Sequence, residues 1–187
     1  MNNIIKSIKK KDINNCIVQV ICFGSPNKTA FIAPFVKLPH SRSSGTGFFI
    51  RKPKYSVLKS LEGYPTVSQS DYENENAVYV LTCAHVVDGA ETIKIKMIPF
   101  GSDLHDCQLV SMIPCNLQEF NENFNTYYDI ALLRIQDPDN KFKNKVEYLD
   151  IRPSRTLIQG ETLVSYGFPL GVPQLMAVSG DFSGMSH

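Results

Sequence analysis

From residue 16 onward the chain alternates short apolar runs with Gly, Pro, Asn or Asp. The first run, Cys16-Ile-Val-Gln-Val-Ile-Cys-Phe23, is rich in β-branched and aromatic residues and stops at Gly24-Ser-Pro, which reads as a strand ended by a turn. Comparable runs at 29–36, 47–50, 77–82, 92–98, 107–113, 130–135, 162–166 and 174–178 predict further strands. No helical periodicity extends over ten residues or more. Many short strands with turn signals and no long helix predict an all-β barrel or sandwich. Residues 2–13 could form one short amphipathic turn, with Ile4, Ile5 and Ile8 opposite Lys6, Lys9, Lys10 and Lys11, but at this length it is marginal alone. Residues 52–76 and 114–128 are polar and read as loops, and 136–150 reads as a connector between two subdomains.

Composition narrows the class. A length of 187 residues with 43% hydrophobic and 20% charged positions is that of a soluble globular protein and excludes general disorder. No apolar run approaches 18 residues, so no membrane-spanning helix is expected. The lysine-bearing N-terminus lacks an apolar h-region, so no secretory signal is expected either. Five cysteines (Cys16, Cys22, Cys83, Cys107, Cys115) are an odd number, and without an export signal they are expected to be thiols in an intracellular, reducing compartment. Charge is uneven: residues 1–60 carry eleven Lys/Arg against one acid (Asp12), and residues 61–187 carry eight against seventeen. No nucleic-acid motif accompanies the lysines, so mutual neutralisation is expected rather than a nucleic-acid partner.

Three segments carry candidate chemistry. Leu81-Thr-Cys-Ala-His85-Val-Val runs an apolar strand straight into a histidine; Asp129-Ile-Ala-Leu-Leu places a carboxylate just before an apolar strand; Gly160-Glu-Thr-Leu-Val-Ser-Tyr-Gly-Phe-Pro-Leu-Gly171 is a strand leaving into a Gly/Pro turn. Singly, each is most often structural: a satisfied histidine, turn chemistry at an aspartate, a tight loop. In this order they suggest more. A histidine base needs its Nδ1–H held by a carboxylate, which fixes the tautomer and stabilises the imidazolium. Strand ends converging on one barrel rim could unite His85 with Asp129 across 44 positions.

These segments resemble trypsin-like serine proteases of the HtrA/Deg branch over roughly residues 15–187. Ser44-Gly-Thr-Gly-Phe-Phe-Ile is similar to the family's Gly-[Ser/Thr]-Gly-Phe strand, and Leu81-Thr-Cys-Ala-His-Val-Val to its His box. Asp129-Ile-Ala-Leu-Leu matches its Asp box, Gly160-Glu through Gly171 its Gly-x-Pro-x-Gly segment, and Val178-Ser-Gly-Asp-Phe-Ser-Gly the strand that follows. The resemblance implies a double β-barrel, with the first barrel complete and the second partly present. It divides the chain into a basic extension (1–14), a first barrel carrying His and Asp (15–135), a connector (136–150) and the opening strands of a second barrel (151–187).

It also implies peptide-bond hydrolysis by acyl transfer on protein or peptide substrates, without cofactor or metal, with His85 as general base and Asp129 as its orienting carboxylate. The family's serine within Gly-x-Ser-Gly-Gly has no match. In this family's chain order the nucleophile comes last, and only 58 residues follow Asp129, so truncation before the serine is expected. Ser183, in Gly180-Asp-Phe-Ser-Gly184, mimics the motif but lies twelve positions past Gly171, in the register of an ordinary strand serine.

Two other readings stay open. One is a protease-like domain that binds or scaffolds proteins without cleaving them. The other is a metal site using Cys83-x-His85, His105-x-Cys107 and Cys115, although spacings of one residue fall short of the two to four usual for zinc. An incomplete second barrel would leave an apolar face around Leu163, Val164, Tyr166, Phe168 and Met176, and so invites self-association into a homo-oligomer.

Overall fold

The structure, a computed structural model, describes residues 12–24, 41–59, 68–113, 129–151, 153, 156–169 and 172–184. Six strands close into an antiparallel barrel in the order β1-β2-β3-β6-β5-β4, and two more form a separate hairpin, β7-β8. The barrel strands are β1 (Ile17–Gly24), β2 (Ser41–Ile50), β3 (Ala77–Thr82), β4 (Thr92–Met97), β5 (Leu104–Ile113) and β6 (Ile130–Gln136). The hairpin strands are β7 (Thr162–Gly167) and β8 (Met176–Asp181). The protein is therefore mostly β, with one complete barrel and a small sheet standing where a second begins. The expected strand at 29–36 and the amphipathic turn before residue 12 lie outside the described residues, as does the loop at 114–128.

Closure follows from β1, which pairs with β2 on one side and β4 on the other. Val18, Val20 and Cys22 of β1 meet Phe49, Val78, Val80, Ile95, Met97, Leu133 and Ile135 in the barrel interior, all buried. A bulge between Leu109 and Ser111 bends β5 and leaves Val110 facing a second cluster outside the barrel with Ile50, Leu58, Tyr72, Tyr79 and Leu132.

That second cluster corrects the reading of 52–76 as loop. Two short helices, α1 (Tyr55–Lys59) and α2 (Gln69–Asn74), lie within it and bury Leu58 and Tyr72 against the barrel wall. Ser68 caps α2 by accepting the Asp71 N–H at 3.1 Å. At its other end the Lys52 ammonium donates to the Tyr72 and Glu75 carbonyls, a cation on the carbonyl end of the helix dipole. Further along, Phe142 and Val146 of the 136–150 stretch enter the barrel core. Asp137, 1% exposed, organises that turn by accepting the Phe142 and Lys143 N–H groups at 3.0 and 2.8 Å.

Among the described residues the hairpin meets the barrel around Phe168. Phe168 is not part of an uncovered face: it is 4% exposed and packs with Cys16 and Ile17 on the outside of the barrel. Its N–H donates to Thr46 Oγ1 at 2.8 Å, and a Cβ on Gly167 would sit 2.8 Å from that same oxygen. Leu163, Val164, Tyr166 and Met176 are exposed.

Candidate active site

β3 delivers the chain to Cys83 and then into α3 (Ala84–Val87), a single helical turn. Within that turn Ala84, Val86 and Val87 are buried, so His85 is the one residue left facing outward. The turn sits flush on β2. Ser43 Oγ donates to the Val86 carbonyl at 2.8 Å, and a Cβ on Gly45 would come within 2.4 Å of Val86 Cγ2. Gly45 thus carries no side chain because Val86 occupies that space. Gly47 plays the same part inside the barrel, where a Cβ would fall 2.6 Å from Val80 Cγ1. The Gly-Thr-Gly run of β2 is in this way explained residue by residue: Gly45 admits α3, Thr46 holds the hairpin and Gly47 admits the core.

Asp129 stands one residue before β6. The β3–β6 register pairs Thr82 with Ala131, so the chain leaving β3 passes directly beside the residues entering β6. Asp129 consequently clamps His85 at two points: Oδ1 accepts the His85 backbone N–H at 2.8 Å, and Oδ2 lies 2.5 Å from the ring Nδ1. The imidazole is 62% exposed and the carboxylate 30%. Burial pushes the Asp129 carboxyl up, but the hydrogen bonds from the His85 backbone and ring, with that ring's charge and the Ala84 N–H, outweigh it and hold the carboxyl below its ordinary value. Asp129 is therefore ionised and acts only as an acceptor, which puts the imidazole proton on Nδ1. The other ring nitrogen, Nε2, has no protein partner among the described residues and keeps its lone pair for an incoming proton.

A third side chain joins this pair: Cys83, which the sequence sets beside His85 as a candidate metal ligand without its carboxylate partner. Cys83, exposed at the start of α3, lies close enough to hydrogen-bond Asp129. Burial, then the charge of Asp129 and the hydrogen bond to it, push this thiol above its ordinary value, so it stays a protonated thiol rather than a ready nucleophile. Its signal in the sequence was the Cys-x-His pair itself, with the carboxylate partner hidden 44 positions away.

The other residues weighed as metal ligands are elsewhere. His105 stands edge-on between Phe100 and Phe142, at ring separations of 5.5 and 4.9 Å, and Cys107 packs against the barrel core beside Cys22. Cys115 lies outside the described residues. Cys16, Cys22, Cys83 and Cys107 carry thiols rather than disulfides. Ser183, just past β8, is exposed and makes no hydrogen bond to His85 or Asp129 among the described residues.

A sequence model of the trypsin-like peptidase domain matches residues 45–187. Among solved structures, the HtrA-type protease AlgW with a tripeptide is similar, at a TM-score of 0.54 and 16% identity over 91% of this chain. A variant of the same protease with a tripeptide gives the same figures. The chain spans 37% of the length of either one. At this identity the likeness is one of fold. No curated protein matches the sequence.

Proposed function

Because the chain belongs to the trypsin-like peptidase domain family, we propose that it supplies the His- and Asp-bearing part of a serine endopeptidase of HtrA/Deg type, acting on proteins or peptides by acyl transfer. His85 is the general base and Asp129 the carboxylate that orients it. The observation that carries this reading is the two-point clamp of Asp129 on His85, which leaves Nε2 without a partner among the described residues on a side chain 62% exposed. An imidazole with its proton on Nδ1 and its lone pair on Nε2 is the tautomer that can accept a hydroxyl proton, and the adjacent carboxylate stabilises the imidazolium that results. We assign the attacking hydroxyl to a serine outside these 187 residues, since Ser183 engages neither member of the pair. Residues 151–187 then open a second barrel whose remaining strands accompany that serine. An intracellular site of action is the compartment in which four thiols without disulfides persist.

The test uses a chain extended through its nucleophile. Asp129→Asn should keep the fold and lower kcat by about 10⁴, because the imidazole is then held in the wrong tautomer. His85→Ala should cost at least as much. A fluorophosphonate should label the extended chain and leave the 187 residues unlabelled. Full turnover in either variant would overturn the assigned roles. An extended chain that takes no label and cleaves nothing would favour a protease-like binding domain. Labelling of the 187-residue chain that is lost in Ser183→Ala would make Ser183 the nucleophile.

A further inference from the structure

Cys83, His85 and Asp129 offer one sulfur, one imidazole nitrogen and one carboxylate oxygen, all within 4.8 Å of one another. Three such donors, with a fourth position open to water, make the mixed S/N/O set that suits a tetrahedral ion of the zinc class. Among the described residues no other group of histidine, cysteine and carboxylate side chains converges in this way. We propose that this cluster binds a thiophilic divalent cation and that loading it switches the candidate active site off. The switching half of this inference rests on the reading of His85 as base; the binding half does not.

The geometry is close to what the ion demands. Bonds of about 2.3 Å to sulfur and about 2.0–2.2 Å to nitrogen and oxygen set donor atoms roughly 3.3–3.6 Å apart in a tetrahedron. The widest separation therefore has to close by about 1 Å, and the 2.5 Å between His85 Nδ1 and Asp129 Oδ2 has to open by about as much as the ion enters between them. Cys83 and His85 are exposed and can turn about χ1 to do so, while Asp129 is fixed where β6 begins. The short Cys-x-His spacing is no obstacle, because the third ligand arrives from another strand rather than from the same motif.

Coordination balances without any redox step. The Cys83 S–H bond breaks, its proton passes to solvent and a metal–sulfur bond forms. His85 meets the ion through Nδ1, the nitrogen that faces Asp129, so the ring's proton moves to Nε2. A ring protonated at Nε2 presents a donor where proton abstraction needs a lone pair. Asp129, with an oxygen on the ion, ceases to orient the ring. One ion thus removes both catalytic partners at once.

Cadmium and zinc test this on the 187-residue protein. Cadmium titration should produce a near-ultraviolet thiolate-to-metal charge-transfer band saturating at one equivalent. The band should vanish in Cys83→Ala, and binding should weaken at least tenfold in His85→Gln and in Asp129→Asn. Zinc should protect Cys83 from iodoacetamide, mapped by mass spectrometry; this arm needs no variant and survives a variant that fails to fold. A band of undiminished intensity and affinity in Cys83→Ala, or Cys83 alkylated equally fast with and without zinc, would overturn the site. Neither readout needs peptidase activity. A protein that binds the ion but, once extended, never cleaves would keep the metal site and remove the base assignment, and an active protein indifferent to zinc would do the reverse.

Discussion

The barrel and the hairpin are built from similar segments. Ala77-Val-Tyr-Val-Leu-Thr82 in β3 and Thr162-Leu-Val-Ser-Tyr-Gly167 in β7 are both β-branched and aromatic, and both pair antiparallel with a neighbour. Yet Val78, Tyr79 and Val80 are at most 1% exposed, whereas Leu163, Val164 and Tyr166 are 36–48% exposed. Every barrel strand has a partner on each side; each hairpin strand has one. Residue type brings the strands into register, but burial comes from closure, which encloses Val78 and Val80, and from the helices packed outside the barrel, which cover Tyr79; a two-stranded sheet by itself is marginally stable. The hairpin is held by what its Phe168 touches on the barrel, chiefly Cys16, Ile17 and Thr46.

The largest test of this contrast is a pair of truncations. Leu133→Ala, fully buried in the barrel, should cost about 2–5 kcal/mol in chemical denaturation, by lost burial and an unfilled cavity. Val178→Ala, 63% exposed on β8, should stay within about 0.5 kcal/mol. Equal losses would break the comparison. A smaller and more local effect is expected at the attachment. Thr46→Val leaves the Phe168 N–H without its acceptor, worth about 1–3 kcal/mol. Amide exchange in β7 and β8 should speed up while the barrel's stays slow; acceleration throughout would show that the two sheets open as one unit.

The last effect, confined to alkaline solution, is one of pH. Burial raises the Cys22 thiol from 9.0 to about 11, against a lesser downward pull from its hydrogen bond with Ser43. The folded chain then keeps a proton that the unfolded chain releases above pH 9. This contribution to stability is complete below 9 and is lost as pH climbs to about 11. The unfolding midpoint should fall across that window, and the slope should flatten in Cys22→Ala; an unaltered slope would mean the thiol is not desolvated.

Much of this was legible in the sequence, for identifiable reasons. Strands such as β1, β3 and β6 announce themselves because apolar, β-branched runs end at turn residues. His85 and Asp129 stood out because each sits at the mouth of such a run. Helices α1 and α2, five and six residues long, are too short to leave a helical period, so their segment read as loop. β2 begins at Ser41 rather than at Gly47 because its polar Ser-Arg-Ser-Ser start is held by the ladder to β1, not by burial. Phe168 was misjudged as uncovered, since its cover, Cys16 and Ile17, lies some 150 residues earlier in the chain. Cys83 beside Asp129 is invisible for the same reason: it depends on a cross-strand register that no local pattern encodes.

The pairing of Thr82 with Ala131 has a consequence for how this protein can vary. Because the ladder between β3 and β6 brings His85 to Asp129, the amount of chain threaded between them does not enter the geometry. Added residues outside the ladders would cost only loop-closure entropy, about 0.6 kcal/mol for each doubling of length. A lineage could lengthen the exposed turn at 101–103 without moving either partner, whereas a single inserted residue within β3 or β6 would shift one against the other. Insertions and deletions among natural variants should therefore collect between strands, and a reporter sequence spliced there should leave the His85–Asp129 contact intact.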